Sequence, residues 1–313
     1  MENIKTLEEM VEYSFTPDYD ISDLNTILFR TKTHIVSSTK DVLDLGKGQD
    51  FVYFGFTIDK ETTKPCFYKI LIDCHGSNKC IDFIRDINKH DWNEIMAESN
   101  PLAKLVEEIN TKIDLYSGES SGGTFISWKC FDDYAVECSC GDSQSFVFVN
   151  DAVKYTSPIH NGLNPSEQDR ILKLGMRFEE TISYRVVNNE IKKIKSYYTI
   201  LHTNNRLAVT QAIGHRGITE YAPNTKKISI QPCDKVTIKS VSDGITDMLD
   251  QNNLDDMNII RTRDSTEIVD VFMRRWAKDW NYFDEETKER IVINFTRDPD
   301  DVSVIDVIYR PII

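Results

Sequence analysis

No stretch of this 313-residue chain approaches the ~18 uninterrupted apolar residues that a membrane-spanning helix needs, so no span is expected. The opening residues, MENIKTLEEMVEYSF, carry acidic groups and no apolar segment, so no signal peptide is expected either. Basic residues are in deficit: 37 Lys and Arg stand against 51 Asp and Glu, giving a formal charge of −14 and a pI near 4.9. Nucleic acid is therefore not an expected partner, because no cationic surplus exists to displace counterions from phosphates. A disulfide framework is missing too. The seven cysteines are an odd number without framework spacing, and the Cys138-x-Cys140 pair has no further zinc ligands nearby. On a strand both would face one side of a sheet as buried, reduced thiols. An intracellular protein fits these absences, and the sequon at Asn294 is then a chance match. Repeats and low-complexity linkers are also absent, which favours a single domain over residues 26–313 behind an N-terminal extension over 1–25.

What is present begins with FYKILIDCHG, residues 67–76. An apolar, β-branched run closing on Asp73, Cys74, His75 and Gly76 predicts a buried strand that delivers polar groups at its end. Phe51–Ile58 is strongly strand-like and pairs with it as a hairpin, whereas Ile27–Leu45 shows no clear period. Helical spacing predicts one helix over about 78–98 and a second from Pro101 to about Tyr116. The glycine/serine turn at 117–123 runs into a strand rather than a helix, so a structural role is expected there. Three short strands to about Asn150 form an antiparallel meander. A short helix from Pro165 stops at Gly175, and 179–203 alternates as strand. Lys235–Ser242 is another strand, ending on Asp243. Asp264 with Glu267 forms a capping box, and Ile268, Phe272, Trp276 and Trp280 fall in one helical row. Arg274, Arg275 and Lys278 are expected on a solvated face. Asp300-Asp301 precedes a terminal strand. Strand runs and helix pairs in blocks indicate an α+β fold with largely antiparallel sheets.

Three strand-end carboxylates stand out, Asp73, Asp243 and Asp300, with Asp142 as a fourth. Clustered carboxylates repel, and a cation relieves that repulsion. An all-oxygen donor set suits hard ions such as Mg²⁺ or Mn²⁺, a pair of which activates water for in-line attack on phosphorus.

Seven segments, in order over about residues 45–310, resemble the PP2C-type metal-dependent serine/threonine protein phosphatases. LIDCHG resembles that family's strand ending in Asp-Gly-His-Gly, SSGGTFISW its Ser-Gly-x-Thr strand, and CSCGDSQSFVF its Gly-Asp-Ser-Arg segment, with TSPIHN after it. NPSEQDRILKLG is similar to its Glu-x-x-Arg-Ile helix and LAVTQAIGH to its Leu-Ala-Val-Ser-Arg-Ala-x-Gly-Asp. VSDGITDML resembles its Ser-Asp-Gly-x-x-Asp, and DDVSVIDV its terminal strand. The resemblance implies a central β-sandwich of two antiparallel sheets flanked by helix pairs, with a two-metal cleft at one edge. It implies metal ligation by Asp73, the Cys74 carbonyl, Asp243 and Asp300, with Asp50 as the match to the family's early aspartate. Asp142 with Asp243 would match a weaker third-metal position. His75 would be the general acid that protonates the leaving serine or threonine oxygen. Phosphorylated proteins would be the substrates, Mn²⁺ or Mg²⁺ the cofactors, and a monomer the expected state.

This sequence departs from the pattern around that core. Gln49 stands where many members have glutamate, and Lys47 is the nearby substitute for a phosphate-gripping arginine, a point charge without the bidentate fork. Gln144 and Gln211 replace arginines, His215 an aspartate, and Cys74 a glycine. These departures set an alternative beside the enzyme, a phosphoprotein-binding module with weak or no turnover. A third reading leaves the aspartates as turn residues of an unrelated interaction protein.

Overall fold

The computed structural model describes residues 4–14, 21, 24–112, 121–187, 190–200, 206–215, 222–284, 287–297 and 299–312. The hairpin anticipated around residue 67 is its centre. Strands β3 (Asp50–Ile58) and β4 (Pro65–Gly76) pair antiparallel, with Asp50 directly across from Asp73. Period-two alternation sends Phe67, Lys69 and Leu71 to one face of β4 and Tyr68, Ile70 and Ile72 to the other. Both faces are buried, the first between two sheets and the second beneath helices.

Before this hairpin come β1 (Thr26–Arg30) and β2 (His34–Leu43), and after it β5 (Ser121–Gly123), β6 (Phe125–Cys130), β7 (Tyr134–Cys140), β8 (Gln144–Val149) and β9 (Ala152–Thr156). Later in the chain β13 (Ile213–Gly214), β14 (Asn224–Ser229), β15 (Val236–Val241) and β18 (Val302–Pro311) complete two antiparallel sheets. One has the order β1-β2-β18-β15-β8-β9; the other runs β13-β5-β4-β6-β7-β14, with β3 on β4. Their facing sides bury Phe54, Phe56, Phe67, Trp128, Ile238, Ile305 and Tyr309 in one core. Such a sandwich is what alternating, one-side-apolar strands form when they exclude water from a shared face.

A lysine interrupts this apolar layer. Lys69, 1% exposed, donates from Nζ to the carbonyls of Ile238 (3.0 Å) and Ile305 (2.9 Å), crossing from one sheet to the other. Desolvation pulls its pKa down to about 7.

Helices cover both outer faces. The single helix expected over 78–98 is in fact two, α2 (Lys79–Asp86) and α3 (Lys89–Ala97), because the Asn88 side chain accepts from the Asp91 amide and starts a new helix. With α4 (Pro101–Lys112) they bury Ile81, Trp92, Leu102 and Leu105 on the hairpin's outer side. The predicted end of α4 near Tyr116 and most of the glycine/serine turn lie outside the described residues. The helix α1 (Leu7–Ser14) inserts Leu7, Met10 and Val11 into the sandwich core. Against the other sheet lie α6 (Asp243–Thr246), α7 (Leu254–Thr262) and α8 (Ser265–Trp276), the last opened by the capping box of Asp264 and Glu267. Trp280 does not extend the α8 row: the helix is capped at Ala277, and Trp280 sits on β16 (Asp279–Phe283). Arg275 is not on a solvated face either. It forms a bidentate ion pair with Asp256 at 2.7 and 2.5 Å and also donates to the Met248 carbonyl.

A third sheet was not foreseen. The hairpin β10 (Arg177–Val187) and β11 (Glu190–Ile200) joins β12 (Arg206–Leu207), β16 and β17 (Arg290–Asn294), with β11 and β16 parallel. Val186, Ile191, Trp280 and Tyr282 tie it to Val241, Ile245 and the α8 core. All seven cysteines are free and six are buried, Cys138 and Cys140 among them. Among the described residues no helix is long and apolar enough to cross a membrane.

Candidate active site

The ends of β4, β15 and β18 meet at one edge of the sandwich, and the carboxylates predicted at those ends meet with them. Asp73, Cys74, His75, Asp142, Asp243, Asp300 and Lys47 line one cavity of about 260 Å³. Asp50 stands behind it, opposite Asp73 on β3.

Close backbone approaches make the convergence possible. A Cβ on Gly244 would lie 2.0 Å from the Asp301 carbonyl oxygen, so only glycine lets the turn after Asp243 touch the start of β18. A Cβ on Gly123 would fall 2.8 Å from the Asp73 carbonyl oxygen. Trp276 reaches from α8 and donates its indole N–H to the Gly244 carbonyl at 2.7 Å, fixing the same turn from outside. The loop before β3 is held by Asp301, whose carboxylate accepts from the amides of Leu45 (2.9 Å) and Gln49 (2.7 Å). Gln49 then donates to the Gly76 carbonyl (3.0 Å) and to Asn78 (3.1 Å), closing that loop onto the end of β4.

Burial and mutual repulsion dominate the electrostatics. Desolvation, then the charge of Asp243 and its other acidic neighbours, lifts Asp73 well above the usual carboxylate range. Desolvation with the charges of Asp243 and Asp301 pushes Asp50 to about 8. For the same reasons Asp142 rises to about 8 and Asp300 to about 6, the latter restrained by Lys47. Lys47 Nζ lies 2.9 Å from Asp300 Oδ1.

His75 has a partner that the sequence flagged only as a departure. Its Nδ1 is 2.9 Å from His215 Nε2, with the rings stacked at 4.7 Å and 15°. Desolvation drives His75 to about 4 and His215 to about 3, so near neutral pH this is a neutral pair sharing one proton along the hydrogen bond. His75 Nε2 is buried without a hydrogen-bond partner. His215 is presented by the segment 206–215, which Glu167 anchors from α5 (Pro165–Lys173). The Glu167 carboxylate accepts from Thr210 Oγ1 (2.6 Å), Gln211 Nε2 (3.0 Å) and Arg170 Nη2 (2.9 Å), and Arg170 also donates to the Thr210 carbonyl.

With this geometry in view, comparison with known proteins identifies the family. The model of the family described as protein phosphatase 2C matches residues 72–279, about two thirds of the chain. The chain belongs to the protein phosphatase 2C family. Its fold is similar to that of a solved serine-threonine phosphatase 2C from Toxoplasma gondii, at 10% identity and TM-score 0.60, covering 91% of this chain and 99% of that one. It is also similar to a C. elegans sex-determining protein, at 17% identity and TM-score 0.59, covering 87% of this chain and 64% of that one. PppA, described as a key regulatory component of T6SS in Pseudomonas aeruginosa, aligns at 14% identity and TM-score 0.50, over 88% of this chain and 98% of that one. No curated protein matches the chain. At these identities the solved structures speak for the fold.

As a protein phosphatase 2C fold, the chain implies divalent metal. Among the described residues no group of three or more Asp, Glu, His or Cys side chains is already arranged to hold an ion. The donor set nevertheless fits one in kind. Asp50 Oδ2 is buried with no hydrogen-bond partner, and Asp73 across from it is a second buried carboxylate pushed up by desolvation and acidic neighbours, so a divalent cation would relieve the repulsion among these hard oxygen donors. Two charged residues near this edge had no sequence signal, Arg206, which lines the cavity, and Arg185 beside the Asp243 turn. Arg185, from β10, forms an ion pair with Asp247 of the Asp243 turn. It lies in an alternating strand where nothing distinguishes it from Lys192, Lys193 or Lys195.

Proposed function

We propose that this member of the protein phosphatase 2C family hydrolyses phosphoserine and phosphothreonine in proteins. The observation that carries the reading is the convergence of Asp73, Asp243, Asp300 and Asp142 on one cavity, with Asp50 buried behind them. Asp73, Asp243, Asp300, Asp50 and the Cys74 carbonyl would hold Mn²⁺ or Mg²⁺, with Asp142 beside them. Bound there, the ions neutralise phosphoryl charge and activate water.

The chain's own groups do the rest. His75 serves the leaving oxygen. If His215 donates to His75 Nδ1, the remaining ring proton sits on Nε2, the atom left without a protein partner. A phosphate dianion beside the ring would favour the imidazolium, whose Nδ1–H would then donate to His215 while its Nε2–H passes to the leaving alkoxide and leaves a neutral ring. Lys47 brings positive charge to the cavity rim and attracts the phosphate as a point charge. The cavity floor excludes bulk water, which strengthens each of these interactions.

A second reading, phosphoprotein binding without turnover, has one observation in its favour. The Lys47 ammonium is paired with Asp300 rather than turned to solvent, so a candidate ligand already has a cationic partner. Hydrolysis of an aryl phosphate and a phosphothreonine peptide, with Mn²⁺, with Mg²⁺ and with chelator, decides between them. Metal-dependent turnover that falls about 100-fold or more in Asp243→Asn supports the phosphatase. A folded protein with no turnover at millimolar Mn²⁺ refutes it in favour of binding alone.

A further inference from the structure

Arg206 and Leu207, on the short strand β12, bring the third sheet to the rim of the carboxylate cavity. The same wall includes Ala208, Val209 and, further along the chain, His215. Its backbone is firmly held. Leu207 and Val209 are buried against Ile171 and Met176, and Leu207 pairs with Thr199 of β11. A side chain rooted there meets whatever enters the cavity from a fixed base.

The Arg206 head group is held far less tightly than its backbone. Its side chain is 61% exposed, and Nη2 lies 2.8 Å from Glu179 Oε1 on β10. Arg206 pairs across to Ile200 of β11, and Glu179 to Tyr198, so all four side chains share one face of the third sheet. The guanidinium thus lies along that face, over β11, against a carboxylate that is itself 45% exposed. An ion pair so open to water is weak and parts readily. Lys47, a second cation lining the cavity, is instead tied to Asp300 within the carboxylate group. Arg206 is therefore a basic group at the mouth whose partner can be exchanged for another of the same chemistry.

The cavity's own charge says what that exchange is for. Asp73, Asp142, Asp243 and Asp300 line it and the chain carries a formal −14, so an acidic peptide meets repulsion as it approaches. A phosphoryl group drawn to metal at the carboxylates leaves the residues beside it at the mouth. A Glu or Asp side chain there fits the fork that Glu179 now occupies, two oxygens against a planar guanidinium. We propose that Arg206 is a specificity-determining residue that selects phosphopeptides with a carboxylate beside the phosphorylated residue, Glu179 holding its fork until such a substrate displaces it. The inference rests on the reading of the cavity as a phosphoprotein site, and it names the class of phosphoprotein.

Affinity for hydrolysis-resistant probes tests this separately from turnover. The probes are fluorescent peptides carrying the phosphonate analogue of phosphothreonine, with a single Glu immediately before or after it, or with Gln in both places. Fluorescence anisotropy with the full chain in Mn²⁺ is expected to show a Glu peptide bound about three- to fivefold more tightly than the Gln peptide. Arg206→Gln is expected to abolish that preference, Arg206→Glu to invert it, and Glu179→Gln, which frees the fork, to increase it. Should an Arg206 variant fail to fold, Glu179→Gln reads the same fork. A wild type without a preference for Glu overturns the proposal, as does one that binds none of the peptides. Equal weakening of every peptide by Arg206→Gln also overturns it, and would place the guanidinium on the phosphonate itself. A Glu preference in a protein with no turnover sinks the phosphatase reading alone, and turnover without the preference sinks this one alone.

Discussion

Glu167 is the most instructive single position to perturb, because its carboxylate joins α5 to the segment that carries His215. Glu167→Gln keeps the volume, so no cavity term enters. It removes the charge from a buried acceptor and places an amide N–H₂ among the donors of Arg170, Thr210 and Gln211. The charge-assisted bond to Arg170 is worth roughly 1.5–3 kcal/mol, and each of the other two roughly 0.5–1.5 kcal/mol. Arg170 is 20% exposed, which argues for the lower part of that range. The expected loss is about 3 kcal/mol, or roughly 6 °C in Tm for a domain of this size. Urea unfolding at neutral pH measures it, with Glu179→Gln as control. The Arg206–Glu179 pair is solvent-exposed, and its loss should cost less than about 1 kcal/mol. The pH dependence gives a second check. Burial alone would raise the Glu167 pKa, but the bonds from Arg170, Thr210 and Gln211 outweigh it and hold the group below 4.5. Its stabilisation is therefore fully present above pH 4.5 and is lost as pH falls through the folded-state value. The gap between wild type and variant should close in acid. A loss under about 1 kcal/mol at pH 7, or a gap unchanged at pH 3, would refute the reasoning.

Asp50→Asn should raise the stability of metal-free protein at pH 8 by several kcal/mol, up to roughly 5, and leave it nearly unchanged near pH 4. The sign follows from a folded pKa of about 8 against 3.8 unfolded: the folded state holds the extra proton, so stability falls as pH rises between those values. Urea unfolding in chelator measures it, and equal pH slopes in the two proteins would count against a buried acidic cluster. Gly244→Ala should cost about 3 kcal/mol and weaken Mn²⁺ binding, since the new methyl meets a backbone oxygen that cannot rotate away; wild-type behaviour in calorimetry would disprove it. Trp276→Phe should lose about 1–2 kcal/mol in urea unfolding through the orphaned Gly244 carbonyl, and a neutral result would remove that bond from the account.

The strand-end carboxylates were legible because each borders an apolar run, Asp73 and Asp243 after one and Asp300 before one, and an apolar run is a strong signal of a buried strand. β2 was illegible for the converse reason. Its buried row is His34, Val36, Ser38 and Lys40, so the face turned inward is largely polar and the period-two pattern disappears. Helical arithmetic carried the α8 row on to Trp280 because side-chain spacing does not register where a backbone stops. Arg275 misled in the same way, since a charge looks solvated until the Asp256 carboxylate from a separate helix is placed beside it. Asp73, Cys74, His75, Asp142, Asp243, Asp300 and Lys47 line one cavity although they lie far apart in sequence. Arg185 and the His75–His215 contact depend on tertiary neighbours, which no local pattern encodes.

Lys69 stands four residues before Asp73 on β4. Its ammonium grips β15 and β18, the two strands that lead into Asp243 and out of Asp300. These bonds tie the three acidic strand ends together, alongside the Trp128–Ser145 and Tyr309–Phe131 bonds that also cross between the sheets. Shear between the layers, the motion that would alter the spacing of those carboxylates most cheaply in an oily sandwich, must first break two buried hydrogen bonds from Lys69 Nζ in a dry interior. The acidic edge thus inherits its dimensions from a bond well inside the sandwich, and substitutions around that lysine should change metal affinity without touching any residue of the cavity.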